Sequence, residues 1–167
     1  DNPNQLTPAS ADVNLVLNTV VANAIGVETQ ISANVRSFVR YSNQFGAYVG
    51  AFSSGNEASS GPPWSALYTT LTNADLVIEL AEEQGLPHQK GVAQIMKALA
   101  MISGVDGFDN IVYSQAADVE FPNPELDDGE QVHEAARILH IAPEVVIAIE
   151  ALVDLEQAAN KLRMTIL

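Results

Sequence analysis

Apolar residues recur at intervals of three and four along most of this 167-residue chain. That spacing lines one helix face with hydrophobic side chains, and it restricts the fold class more than any other feature. The clearest stretch is Trp64, Leu67, Tyr68, Leu71, Ala74, Asp75, Ile78 and Ala81, closed by Gly85 where a C′ glycine belongs and by Pro87 beyond it. Upstream, Thr7-Pro8 has the form of an N-cap followed by proline, ahead of a stripe at Val13, Val16, Leu17, Val20, Val21 and Ala24. Gly26 is the expected stop, and a second helix is expected through Ile31, Val35, Phe38, Val39 and Ser42.

Residues 46–62 are rich in glycine, serine and proline and read as a long loop. A fourth helix follows Pro87 with Val92, Ile95, Met96, Leu99 and Ile102, ending near Gly104. The short connection makes the third and fourth helices an antiparallel hairpin. The period fails from Val105 to Gly129, where a loop with an extended piece at Asn110–Tyr113 is expected. Asp127 or Asp128 is placed to cap a fifth helix through Val132, Ala135, Ala136 and Leu139. Pro143 opens a sixth, with Val145, Val146, Ile149, Leu152, Val153 and Leu155 as its buried side. The expectation is a single helical domain over residues 1–167: all-α, antiparallel helix pairs stacked in a tetratricopeptide-like arrangement, with long irregular loops. Small residues such as Ala81 and Ala98 suit helix-pair stacking, although no 34-residue self-similarity is present.

The chain has 21 acidic and 7 basic residues, a formal net charge of −14, and no cysteine. The bases are scattered singly between Arg36 and Arg163, so there is no basic patch to displace phosphate counterions, and nucleic acid is excluded as a partner. The lack of cysteine excludes disulfides, thiolate zinc sites and cysteine nucleophiles. No apolar run reaches the length that spans a bilayer. The chain opens at Asp1 without a basic leader and reads as a mature or trimmed product.

Sites of chemistry are sparse. Glu130-x-x-His133 is half of a di-iron carboxylate motif, and no second Glu-x-x-His exists. His133-Glu134-x-x-Arg137 has arginine where a zinc protease helix needs histidine. His133 and His140 can share a helix face, which by itself makes no metal site, and His88 stands apart. Nine acids and no base lie in residues 106–134, but their spacing fits no EF-hand loop and suits a solvated acidic loop. No nucleophile elbow or phosphate loop is present. The expectation is a non-enzyme with no metal and no cofactor. The aromatic edge of the 46–62 loop is the best binding candidate: Tyr41, Tyr48 and Phe52 offer ring faces for sugars, and Asn43, Gln44 and Asn56 offer amides for hydroxyls. The same aromatics, with Phe45, equally suit a helix end packed on its neighbour.

The order of motifs resembles the SusD/RagB family of nutrient-binding lipoproteins. The likeness is carried by residues 1–8 (Asp-Asn-Pro-Asn-Gln-Leu-Thr-Pro), Trp64-Ser65-Ala66-Leu67-Tyr68, Thr72-Asn73-Ala74-Asp75 and Ala81-Glu82-Glu83-Gln84-Gly85. It continues through residues 91–98, then Phe108-Asp109-Asn110-Ile111-Val112-Tyr113-Ser114-Gln115-Ala116 and Asn123-Pro124-Glu125-Leu126-Asp127-Asp128. The match covers about residues 1–140, and the helix over 141–167 resembles nothing recognised. In the central motif Asp109, Val112 and Gln115 stand where the family has glycine, proline and glutamate. Aspartate takes glycine's backbone angles only at a cost, so this loop is expected to differ in shape.

The resemblance implies a tetratricopeptide-like frame in a non-catalytic glycan- or nutrient-binding component of an outer-membrane, TonB-dependent uptake system. It implies a cell-surface location in Bacteroidetes-type bacteria, through a lipid anchor upstream of Asp1, with the transporter and a nutrient oligomer as partners. The competing expectation is a helical-repeat interaction module that takes a partner helix or peptide and no small ligand. A metal-dependent enzyme using His133 and His140 is the third.

Overall fold

A computed structural model describes residues 12–38, 57–116, 120–140 and 142–166. Among these the order is α1 (Val13–Phe38), α2 (Glu57–Glu83), α3 (Pro87–Phe108), α4 (Gly129–His140) and α5 (Pro143–Ile166). The all-α, tetratricopeptide-like expectation holds. The described residues hold five helices where six were expected, because the first two predicted segments are one.

The stripe Val20, Ala24, Val27 and Ile31 runs straight through Gly26 at 3-4 spacing, and all four side chains are buried. A mid-helix glycine costs about 1 kcal/mol against alanine, less than the burial it would interrupt. The Gln30 side-chain amide also donates to the Gly26 carbonyl at 3.1 Å. The cap of α1 is Asp12, whose Oδ1 accepts the N–H groups of Asn14 and Leu15 at 2.9 and 3.4 Å. Thr7-Pro8 lies outside the described residues. At the other predicted boundary, α2 starts at Glu57 and takes in the end of the expected 46–62 loop. Pro63 is fully buried there, so packing outweighs its missing backbone donor.

The α2–α3 turn is as the sequence indicates. Gly85 has φ +66°, the Leu86 N–H donates to the Ala81 carbonyl at 2.8 Å, and the Gly85 N–H donates to Glu82 at 3.2 Å. This pair of bonds is a Schellman motif, and it satisfies two carbonyls at the helix end. Pro87 then opens α3.

Helix α3 is the shared surface: α1, α2, α4 and α5 all pack on it. Small residues make up much of its buried face (Gly91, Ala93, Ala98, Ala100 and Gly104, with Met101 also fully buried), while the expected stripe Val92, Ile95, Met96, Leu99 and Ile102 is only partly buried. One core cluster joins Val13 and Val20 to Val77, Leu80 and Ala93. A second joins Val27 and Ile31 to Leu67, Leu71, Met101, Val105, Val132 and Ala136.

Helix α5 departs from expectation. Val145 and Ala148 are buried, but Val146, Ile149, Leu152, Val153 and Leu155 are 45–67% exposed. The helix meets α3 closely at Gly91, where an added Cβ would stand 2.1 Å from the Glu144 carbonyl oxygen. Lys90 ties this crossing together, reaching Glu144 at 3.0 Å and Glu82 of α2 at 3.2 Å. The clash is with backbone, so it cannot be relieved by a rotamer change. Gly91→Ala is therefore expected to lower stability to urea by about 2 kcal/mol and to expose α5 to proteolysis before the rest. A variant with unchanged midpoint and unchanged α5 protection would show that the crossing is looser than this.

Candidate functional site

The two motif segments of the 108–128 region are brought together by one carboxylate. Asp127 accepts the backbone N–H groups of Tyr113 and Ser114 at 2.6 and 2.8 Å and the Ser114 hydroxyl at 2.6 Å. Its own N–H donates to the Ile111 carbonyl at 2.9 Å, making an isolated antiparallel bridge with Ile111, which lies within the expected extended piece. The capping role belongs to Asp128, whose Oδ1 accepts the Glu130 N–H at 2.9 Å. Further bonds close the loop: Gly129 N–H to Asn110 Oδ1 at 3.1 Å, and Glu125 N–H to Gln115 Oε1 at 3.0 Å.

The loop is seated on an aromatic base. The Trp64 ring stands edge-on to Tyr68 and to Phe108, each with centroids 5.0 Å apart. The Tyr68 hydroxyl accepts the Val112 N–H at 2.9 Å. Lys97 of α3 pairs with Asp75 of α2 and lies 5.4 Å from the centre of the Tyr113 ring.

Two titrating groups are shifted here. Burial raises the Tyr68 pKa above its usual 10.0; the Val112 N–H offsets part of this, and the nearby Asp127 charge adds to the rise. At Asp127 burial opposes ionisation, but the Ser114 hydroxyl and the two backbone donors outweigh it and hold the carboxyl below its usual 3.8.

Asp109 adopts backbone angles that glycine takes more readily. Its φ is +69° and its ψ −80°, and the Asn110 N–H donates across it to the Phe108 carbonyl at 3.0 Å. This is the rare γ-turn, strained for any residue with a Cβ.

The proposed ligand residues Tyr41, Asn43, Gln44, Tyr48, Phe52 and Asn56 lie outside the described residues. The stems of their segment are described. Ile31 of α1 lies against Gly107, and Trp64 of α2 against Phe108. Both stems therefore reach the same end of the helix stack as the 108–128 loop.

A groove of about 690 Å³ lies along α4, lined by Ile102, Glu130, His133, Glu134, Ala136 and Arg137. His133 Nε2 is 3.6 Å from Asp106 Oδ1, and Arg137 binds Glu134 through two nitrogens at 2.6 and 2.7 Å. Among the described residues no three histidine or carboxylate side chains come together to hold a metal. His88 is exposed, and the side chain of His140 is outside the described set. Sequence reasoning missed this groove, because its walls come from two helices whose facing sides no single periodicity reveals. It also left Asp127 as a possible cap, since a carboxylate that binds backbone N–H groups 13 and 14 residues upstream leaves no local signature.

Two outcomes follow for the loop. Asp127→Ala is expected to lose about 2 kcal/mol near neutral pH, because two backbone donors and a hydroxyl lose a charged acceptor. A carboxyl with a depressed folded pKa stabilises above its unfolded pKa and loses that contribution as pH falls through the folded one. The gap between parent and variant in urea unfolding should thus be full near pH 6 and shrink below about pH 4; a gap independent of pH would remove Asp127 from this role. Asp109→Gly relieves the γ-turn and is expected to stabilise by about 1 kcal/mol after the greater freedom of the unfolded chain is counted. Calorimetry showing a lower melting temperature would contradict it.

No curated protein and no solved structure matches the chain. The sequence model of a SusD-like family, described as starch-binding and associating with the outer membrane, matches residues 3–150. That span takes in α1 to α4, both motif segments joined by Asp127, and the first turns of α5. No helix among the described residues is long and apolar enough to cross a membrane. With a match over most of its length, the chain belongs to the SusD-like family of starch-binding proteins that associate with the outer membrane.

Proposed function

We propose that this chain is a non-catalytic glycan-binding component of an outer-membrane nutrient-uptake system, working beside a TonB-dependent transporter. The observation that carries this reading is the family match over residues 3–150. A lipid anchor upstream of Asp1 holds it at the cell surface, and the helix stack is the frame that faces the transporter. Capture uses the edge at residues 41–56: Tyr41, Tyr48 and Phe52 stack on sugar rings, while Asn43, Gln44 and Asn56 bond hydroxyls. The stems of that segment emerge beside the stapled 108–128 loop, which supports a ligand face at this end. Neutral sugars suit an acidic chain of net charge −14, because stacking and hydrogen bonding need no opposite charge on the protein.

The test is calorimetric titration with malto-oligosaccharides, comparing the parent with Tyr41→Ala/Tyr48→Ala/Phe52→Ala. Removing the rings is expected to weaken binding on the order of 10-fold or more. Equal binding by both proteins would move the ligand site elsewhere. A parent that binds no starch oligosaccharide, yet is retained by the transporter, would leave the helical frame as an interaction module and overturn the glycan-capture role.

A further inference from the structure

The turn that ends α3 is strained, and the first residue of α4 is seated on it. We propose that this junction is a two-state latch: α4 closed on α3 with the Asp109 turn held in strain, or the first turn of α4 lifted with the strain released. Asp109 has φ +69° and ψ −80°, angles that cost any residue with a Cβ and persist only where neighbours impose them. Three contacts impose them here. The Asp109 N–H donates to the Val105 carbonyl at 2.8 Å and the Asn110 N–H to the Phe108 carbonyl at 3.0 Å, which fixes the turn to the end of α3. On the other side, Asn110 Oδ1 accepts the Gly129 N–H at 3.1 Å.

Gly129 is the tight point. An added Cβ there would stand 2.7 Å from the Asp109 carbonyl oxygen and 2.9 Å from a Val105 methyl, so the start of α4 lies directly against the strained peptide. When Gly129 withdraws, the Asn110 clasp and this steric wall go together, and Asp109 can return to ordinary angles. Little else resists the withdrawal. Helix α4 has 12 residues and, among the described residues, packs broadly on α3 alone, through a side that includes Val132 and Ala136. The exposed pair His133–Asp106, at 3.6 Å, adds little. The two residues before Gly129 extend the coupling: Asp128 caps α4, and Asp127 staples the 108–128 loop. Three consecutive residues thus join the loop, the cap and the strained turn. A displacement of the loop is passed to α4, and lifting α4 widens the groove lined by Glu130 and His133.

Native-state hydrogen exchange on the full chain reads the latch. The Val132 N–H, bonded to the Asp128 carbonyl at 3.1 Å, reports α4, and the Asp127 N–H, bonded to the Ile111 carbonyl at 2.9 Å, reports the loop. In the parent these two amides should share one level of protection, at least about 100-fold below that of the buried Leu71 in α2. Asn110→Ala changes an exposed side chain, so the variant should fold; losing the clasp should speed exchange at both amides alike, on the order of 10-fold. Asp109→Gly removes strain from the closed state alone. It should slow both amides on the order of 5-fold, and in the Asn110→Ala background it should restore much of the lost protection. Strain confined to the turn, or simple fraying of α4, would leave Val132 unmoved by Asp109→Gly, and that result overturns the proposal. So does exchange of Val132 at the rate of Leu71, or a response to Asn110→Ala that differs between Val132 and Asp127.

Discussion

The structure depends on how closely backbones can approach α3. A helix surrounded by four others cannot carry large side chains all the way round, because each added methylene pushes a neighbour outward. At Gly91 an added Cβ would meet the Glu144 carbonyl, and at Gly104 one would stand 2.8 Å from a Leu67 methyl. The alanines at 93, 98 and 100 are buried between these points. Met101 and Val105 still reach the core, while Val92, Ile95, Leu99 and Ile102 are left on the partly covered face, where Ile102 lines the α4 groove. Removing side-chain bulk from one helix thus lets α1, α2, α4 and α5 all pack against it.

That arrangement places the loops. The α1 and α2 stems and the C-terminal end of α3 converge on the cluster containing Ile31, Leu67, Met101 and Val105. The 108–128 loop leaves from this end and returns to start α4, and Asp127 fastens its two limbs together. A charged acceptor is effective here because it gathers several donors that would otherwise face a partly buried setting unpaired. The strained angles at Asp109 are tolerated because the turn is held on both sides. Its N–H closes the last turn of α3 onto Val105 at 2.8 Å, and Asn110 is engaged by Gly129.

Much of this was legible in the sequence where local chemistry and tertiary packing agree. The Gly85 turn, the Pro87 start and the Val132–Ala136 face of α4 show as written, and the α2 stripe holds at Leu67, Leu71, Ala74 and Ala81, while Asp75 is exposed and Val77 and Leu80, off that stripe, are buried. Gly26 was misread because glycine's propensity is weak beside the burial of Val27 and Ile31 on the same stripe. The burial pattern of α3 was inverted, since periodicity ranks residues by hydrophobicity while the crowded face of this helix selects for small size. On α5 the stripe was recognised but its cover was assumed. Apolar spacing reports that a face seeks burial and does not say where the partner is. The six residues of the proposed ligand edge follow from composition and remain a reading of the sequence.

Charge completes the account. Lys90 and Lys97, two of only seven bases, are spent within the fold: the first joins α3 to α2 and α5, the second joins α3 to α2 beneath the Tyr113 ring. Using basic residues as internal ties leaves a surface dominated by carboxylates, including the exposed acids around Asp106, Asp128 and Glu130. Such a surface repels polyanions over a distance of about a Debye length and exerts no net pull on an uncharged oligosaccharide. Discrimination among neutral sugars must then come from ring contact and hydrogen-bond geometry. For the ligand edge we propose at residues 41–56, the described stems at Ile31 and Trp64 lie beside the stapled loop and the aromatic base of Trp64, Tyr68 and Phe108.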